Sequence, residues 1–322
     1  MILEFAAILA GFALLVWSAD RFVLGASAVA SIMGVSTLVV GILVVGIGTS
    51  APEMLVSGIA AYEGKTGLSV GNALGSNITN IALVLGFSCL LIPLQVQSKI
   101  IKREIPLLLV IMIFGWFLLM DGELGFLDGA LLFVAFGLVI VRQLLEAKNS
   151  RADILEASFE DEIPKDMPLP TALFWLLLGF LVLVGSARLL VWGAVEVALA
   201  FGVSELIVGL TVVAIGTSLP ELAATIAAAR KGEHDIPIGN VIGSNIFNLV
   251  GVMALPGIIA PGIVDPDVMA RDYPLMLGLT VLLFLFASEP VGKRVIGRWK
   301  GAVFLSIYIG YLIYLVQASM AT

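Results

Sequence analysis

One stretch of this chain occurs twice, and that duplication limits what it can fold into. Gly46-Ile47-Gly48-Thr49-Ser50-Ala51-Pro52-Glu53 reappears as Ala214-Ile215-Gly216-Thr217-Ser218-Leu219-Pro220-Glu221, 168 residues further on. A second block follows each copy. It reads Gly71-Asn72 then Gly75-Ser76-Asn77-Ile78-Thr79-Asn80 in the first half, and Gly239-Asn240 then Gly243-Ser244-Asn245-Ile246-Phe247-Asn248 in the second. Arg103 and Pro106 fall on Arg271 and Pro274 at the same offset of 168. An ungapped match of this extent is an internal duplication.

Composition puts both copies in a bilayer. Hydrophobic residues make up 60% of the chain, charged residues only 13%, and the mean hydropathy is +1.11. A soluble domain of 322 residues could not cover its surface with so few charges. No basic patch with interleaved aromatics suggests nucleic acid. The single Cys89 excludes an internal disulfide, and its apolar surroundings predict core packing. His234, the one histidine, lies in a short polar loop, and no Cys/His cluster could hold zinc. The N-terminus lacks a basic leader and runs into an apolar stretch too long for a signal peptide, so it reads as a retained span.

A membrane helix needs roughly 20 mostly apolar residues. Ten stretches qualify: about 4–28, 35–61, 68–93, 104–120, 125–145, 171–197, 204–229, 236–260, 272–288 and 301–318. Five precede the acidic, proline-bearing segment 146–170 and five follow it. The domains are therefore a first five-helix repeat (1–145), a cytoplasmic linker (146–170) and a second repeat (171–322). An odd number of spans per copy makes the second enter from the opposite side. The expected fold is an all-α membrane protein of ten transmembrane helices, two inverted five-helix repeats with broken helices 2 and 7. Of the 17 Lys and Arg, thirteen fall in loops on one side. Only Lys65 and Arg271 fall on the other, while Arg21 and Arg188 lie in or near spans 1 and 6. The basic side is cytoplasmic, which puts both termini outside.

Pro52 and Pro220 have no N–H, so the carbonyls of Gly48 and Gly216 lose their helical partners. Within a bilayer such carbonyls need another partner, and a cation is one. Thr49, Ser50, Thr217 and Ser218 add hydroxyls there, and Glu53 and Glu221 add charge. Asn72, Ser76 and Asn80 share one helical face, as do Asn240, Ser244 and Asn248. Gly71/Gly75 and Gly239/Gly243 are small-xxx-small pairs that predict close packing of the broken and polar-faced helices of each half. Asn77 and Asn245 sit off that face and read as interhelical ties. Hard oxygen donors suit Na⁺, Ca²⁺ or Mg²⁺, and Mg²⁺ fits an all-protein cage poorly. Two glutamates balance one Ca²⁺ or two Na⁺. Single Ser, Thr or Asn residues are common packing groups, but paired intramembrane glutamates are costly and point to function. Asp20, Arg21 and Arg188 read instead as snorkelling or mutually paired groups.

The two signatures, G-x-G-T-S-x-P-E (with Ala214 opening the second copy) and G-N-x-x-G-S-N-x-x-N, resemble the α-repeats of the sodium/calcium exchanger branch of the cation/Ca²⁺ antiporter superfamily. The likeness runs along the whole chain and suggests a prokaryotic member, without a large regulatory domain between the halves. It implies a multi-pass protein of the cell (inner) membrane that exchanges Na⁺ for Ca²⁺ by alternating access, a transporter with no cofactor. It implies that Glu53 and Glu221, with main-chain carbonyls of Thr49 and Thr217, form a central Ca²⁺ site. Ser50, Ser76 and the Gly46 carbonyl would help form a Na⁺ site, and Ser218, Ser244 and the Ala214 carbonyl its counterpart. Asn80 and Asn248 would line the middle, and spans 1 and 6 would slide over the rest. Some relatives carry Asp at the place of Asn80 or Asn248; with Asn at both, the core holds two carboxylates rather than three. H⁺ or K⁺ are further candidate ions. Ca²⁺/H⁺ antiport on the same glutamates is the alternative reading, followed by a passive cation channel. No Ser/His, Cys/His or His-Glu constellation suggests an enzyme.

Overall fold

The computed structural model describes residues 1–34, 48, 50–96, 100–149, 167–231, 235–288 and 294–321. They are almost entirely helical. Two helices exceed the length that a perpendicular span needs: α1 (Ile2–Ile32, 31 residues) and a later helix, Leu169–Phe201, of 33 residues. At 1.5 Å per residue each is roughly 45–50 Å long against a hydrocarbon core of about 30 Å, so each must cross at a tilt.

Between them lie α2 (Ala51–Tyr62), α3 (Thr66–Thr79), α4 (Ile105–Leu118) and α5 (Phe126–Asn149). After α6 (Leu169–Phe201) come α7 (Glu205–Thr217), α8 (Leu219–Lys231), α9 (Asp235–Phe247), α10 (Tyr273–Ala287) and α11 (Arg298–Ala321). Local chemistry places the boundaries. Gly202 takes φ +65 just past α6, and Ser204 then accepts from Ile207 N at 3.3 Å to open α7. Gly64, at φ +75, turns the chain between α2 and α3.

Seven helices among the described residues are long and apolar enough to cross a membrane, or eight if the bent pair Glu205–Thr217 and Leu219–Arg230 is one span. That is fewer than the ten expected. The expected span 35–61 is described only at its end, as α2. The expected span 104–120 is the 14-residue α4, preceded by a π-helical turn at Ile100–Glu104. Residues 150–166 of the expected linker and His234 lie outside the described residues.

α3 and α9 form the centre. Each continues through a π turn, Asn80–Leu85 and Asn248–Val252, into a last α segment, Gly86–Leu91 and Ala254–Ile259. In both, 78% of the membrane-spanning window is buried, against 22–33% for α1, α5, α6 and α11, whose exposed leucines and phenylalanines face lipid. A π turn takes up one extra residue, which rotates the helix beyond it. The first part of α3 can thus aim Asn72, Ser76 and Asn80 one way while Gly86 packs on Gly301 and Phe304 of α11.

α1 and α6 run antiparallel in contact along their length. A Cβ on Gly11 would meet Leu190 at 3.1 Å, one on Gly25 the Leu176 backbone at 2.3 Å, and one on Gly179 the Phe22 backbone at 2.5 Å. They share an apolar cluster with α2, α7 and Leu68 of α3, distinct from a larger core that α3–α5 and α9–α11 form with Leu206 and Leu210 of α7 and Ala229 of α8. Two short antiparallel ribbons tie the connections: β1 (Leu94–Gln95) with β4 (Val295–Ile296), and β2 (Glu123–Leu124) with β3 (Gly262–Ile263).

The helices α2 and α3 of the first half pack as expected, joined by Ser57, Ser69 and Asn72, and the small-xxx-small pair packs closely across the halves, against α7. A Cβ on Gly71 would lie 2.5 Å from Leu206 O, and one on Gly75 would lie 2.7 Å from Leu210 Cα and 2.8 Å from Ala214 Cβ. Gly209 of α7 fits against Leu68 O at 2.5 Å in return. Gly239 and Gly243 have no such neighbour within 4 Å among the described residues. Cys89 is fully buried. The exposed Arg188 side chain is as the snorkelling reading expects. Arg21 lies over the Trp175 ring at 5.1 Å, and Arg188 Nε reaches Glu63 Oε1 at 3.4 Å.

Substituting Gly75→Val should force α3 from α7 and destabilise the protein by about 1–3 kcal/mol. Gly137→Val, on an open face of α5, should stay within about 0.5 kcal/mol of wild type. Thermal melting of the purified protein in detergent measures both, and equal melting temperatures would contradict the packing.

Candidate cation site

The two breaks adopt one geometry. Ser218 separates α7 from α8 at φ −86, ψ 4, and Ser50 precedes α2 at φ −90, ψ 4. The α7–α8 axis bends by 40° there. Pro52 and Pro220 then sit in the first turn of α2 and α8, where a missing N–H is tolerated. Glu53 and Glu221 follow in that same first turn, at the helix ends whose dipoles favour negative charge.

Both carboxylates are buried, with residue exposures of 1% for Glu53 and 0% for Glu221. Among the described residues neither Glu53 oxygen has a hydrogen-bond partner, and Glu221 has one, Ser244 Oγ, which donates to Oε1 at 3.4 Å. The hydroxyls of Ser50 and Ser218 are likewise buried and without a partner among the described residues. No ion pair joins either glutamate to a Lys or Arg among the described residues. Unpaired charge in so dry a place is unfavourable by several kcal/mol per ion. A bound cation is the compensation that these donors suit. Among the described residues no three His, Cys, Asp or Glu side chains converge. The donors are two carboxylates with hydroxyls and amides, a hard set.

Around the carboxylates runs a polar network. Asn72 Nδ2 donates to Glu53 O at 3.2 Å and to Ser57 Oγ at 2.9 Å. Thr217 Oγ1 donates to Asn72 Oδ1 at 3.1 Å and lies 3.4 Å from both Ser76 Oγ and Ala214 O. Asn80 Nδ2 donates to Asn245 Oδ1 at 3.0 Å, and Asn245 Nδ2 donates to Asn77 O at 3.3 Å, so Asn245 ties α9 to α3. Asn77 itself reaches Met276 Sδ at 3.4 Å. Asn248 is buried with both side-chain polar atoms unpartnered.

Of the residues named from sequence, the fold gathers Glu53, Glu221, Thr217, Ser76, Ser244 and Ala214 in or beside this network, with Ser50 and Ser218 at the breaks. Asn80 and Asn248 sit where α3 and α9 turn π-helical. Gly46 and Thr49 lie outside the described residues. Sequence reasoning missed Ser57, which anchors Asn72, and its counterpart Thr225, which is buried with an unpartnered hydroxyl. A signal was present: each is a hydroxyl one helical turn past the glutamate, and the two are 168 residues apart.

The Sodium/calcium exchanger protein family matches residues 3–145 and 171–317. The inner membrane protein YrbG of Escherichia coli (strain K12) is 44% identical over 322 residues, spanning 99% of this chain and 98% of that protein. The sodium/calcium exchanger MaX1 of Methanosarcina acetivorans is 30% identical over 358 residues, spanning 97% of this chain and 98% of its own. A solved structure of the sodium-calcium exchanger NCX_Mj, soaked with Na⁺ and Sr²⁺, is 36% identical and superimposes with a TM-score of 0.65, covering 97% of this chain and 98% of that one. With whole-chain matches of this kind around a buried hard-oxygen site, the chain belongs to the sodium/calcium exchanger family, a multi-pass membrane antiporter and not an enzyme.

Proposed function

We propose that this protein exchanges Na⁺ for Ca²⁺ at a single site between Glu53 and Glu221, by alternating access. The observation that carries the reading is the pair of buried carboxylates, set at matching helix breaks among unpartnered hydroxyls. Two negative charges in a dry site are balanced by one Ca²⁺ or by two Na⁺, so each cargo is a substitute for the other. The carbonyls of Thr49 and Thr217 complete the Ca²⁺ shell. Ser50, Ser76 and the Gly46 carbonyl hold Na⁺ on one flank, and Ser218, Ser244 and the Ala214 carbonyl on the other, with Asn80 and Asn248 between.

Alternating access follows from ten helices in two inverted repeats, 1–145 and 171–322, joined by the linker 146–170. Several features support that architecture. Helices α1 and α6 are counterparts at the repeat offset and run antiparallel. The π turns at Asn80–Leu85 and Asn248–Val252 start 168 residues apart. One ribbon joins the connection after α3 to that before α11, and the other joins those after α4 and α9. These are loops on opposite faces in the ten-span topology. The contact of α1 with α6 along their length, and their purely apolar contacts with Val56, Leu68, Val208 and Val213, support their sliding as a unit over the rest. Lys and Arg asymmetry places both termini outside, in the cell (inner) membrane.

Proteoliposomes loaded with Na⁺ should take up calcium-45 when diluted into Na⁺-free buffer. A pH gradient alone should drive none; uptake driven by pH without Na⁺ would overturn Na⁺ coupling in favour of H⁺. Glu53→Gln and Glu221→Gln should each lower the Na⁺-driven rate at least about 100-fold, the kinetic equivalent of about 3 kcal/mol, while leaving insertion intact. Exchange at the wild-type rate in either variant would refute the assignment. Asn80→Asp should add charge to the site and shift the Na⁺/Ca²⁺ competition curve; an unchanged curve would remove Asn80 from the lining.

A further inference from the structure

Asn72 has no bonding capacity left with which to bind an ion. Its amide donates both hydrogens, to Glu53 O at 3.2 Å and Ser57 Oγ at 2.9 Å. Its carbonyl accepts from Thr217 Oγ1 at 3.1 Å and Ser76 Oγ at 3.5 Å. An Asn side chain has two donors and two acceptor lone pairs, so all four are engaged. The residue is fully buried. Its partners lie on three helices, α2, α3 and α7, and the last belongs to the other half of the chain.

We propose that Asn72 is a positioning residue that presets the cation site by fixing the Thr217 turn of the second half against Glu53 of the first. The proposal rests on the reading of Glu53 and Glu221 as the cation site. Through Glu53 O and Ser57 it holds α2, and through Thr217 Oγ1 it holds the last residue of α7 before the break at Ser218. Any rotation of that turn moves the Thr217 carbonyl and must first break the bond to Asn72. The close approach of Gly71 and Gly75 to α7 brings the two backbones near enough for so short a side chain to span them.

A second pair of bonds stiffens the anchor. Ser57 Oγ donates to Ser69 O at 3.3 Å, and Ser69 Oγ donates to Ser57 O at 3.0 Å, stitching α2 to α3 beside Asn72. The second half has Pro237 at the place of Ser69, so it lacks that hydroxyl, and Asn240 Nδ2 and Thr225 Oγ1 are buried without partners. The amide that sets the geometry is therefore the one in the first half.

The test compares Asn72→Ala, Ser57→Ala, Thr217→Val and the double variant Asn72→Ala/Thr217→Val in the full-length protein. Two quantities are read: the Ca²⁺ concentration that half-saturates exchange, and the Ca²⁺ concentration that half-maximally raises the melting temperature of the purified protein. A preset geometry lost at one buried hydrogen bond is expected to weaken both about five- to tenfold in Asn72→Ala. The rate at saturating Ca²⁺ should change by no more than about twofold, because the ligands themselves remain. Ser57→Ala, which loosens the anchor only, should move both the same way by less. The double variant should match the weaker single variant, since both act through one bond. Unchanged half-saturation in Asn72→Ala, alongside a normal Ca²⁺ response of wild type, overturns the proposal alone. Effects that multiply in the double variant overturn it as well. A wild type whose melting temperature ignores Ca²⁺ overturns the underlying site reading and the proposal together.

Discussion

Two buried carboxylates that no Lys or Arg pairs with among the described residues govern this structure. Glu53 and Glu221 are both buried, each in the first turn of the helix that follows its break. Elsewhere in the protein, acids are neutralised by neighbours. Glu104 meets Arg142 at 3.3 Å, Glu205 meets Lys65 at 2.9 Å, and the buried Asp272 takes bonds from Arg271 and Tyr311, each at 2.7 Å. The central pair has no such match, and a cation that comes and goes can supply it. In the proposed exchange, the cost of burying unpaired charge would tie the loaded state to ion identity and favour exchange over leak.

Holding two charges at one point requires two halves of the chain to meet at backbone distance. Glycines make that possible where α3 crosses α7, and a fully bonded Asn72 spans the crossing. Asn245 does comparable work between α9 and α3, through Asn80 and the Asn77 carbonyl. The polar groups are therefore of two kinds. Some have all their hydrogen-bonding capacity spent on neighbours and act as ties. Others, such as Ser50, Ser218 and Asn248, are buried with capacity unspent. In a low-dielectric interior that distinction is the one the proposed site uses to tell ties from candidate ligands.

Much of this was readable from the sequence, for identifiable reasons. The glutamates announced themselves because hydrocarbon tolerates no idle carboxylate, and the breaks because Pro52 and Pro220 cannot donate. The tie at Asn245 followed from its angular offset on a helix. What escaped was long-range or conformational. A small-xxx-small pair predicts a close neighbour without naming it, so Gly71 and Gly75 were assigned to their own half when their partner is α7. Arg188 pairs with Glu63, a residue that only the tertiary fold brings near. The π turns at Asn80 and Asn248 have no compositional mark, because an i→i+5 ladder uses the same residues as an i→i+4 one. Helices α1 and α6 extend a few residues beyond the apolar runs that mark their spans, because a helix can continue past the bilayer.

The most direct test of the central claim is anomalous diffraction from crystals grown with a heavier Ca²⁺ analogue and titrated with Na⁺. A shared anionic site predicts a single strong peak between Glu53 and Glu221, with carboxylate oxygens at about 2.3–2.6 Å, which fades as Na⁺ rises. A peak bound elsewhere, or one at the glutamates that Na⁺ does not displace, would contradict it.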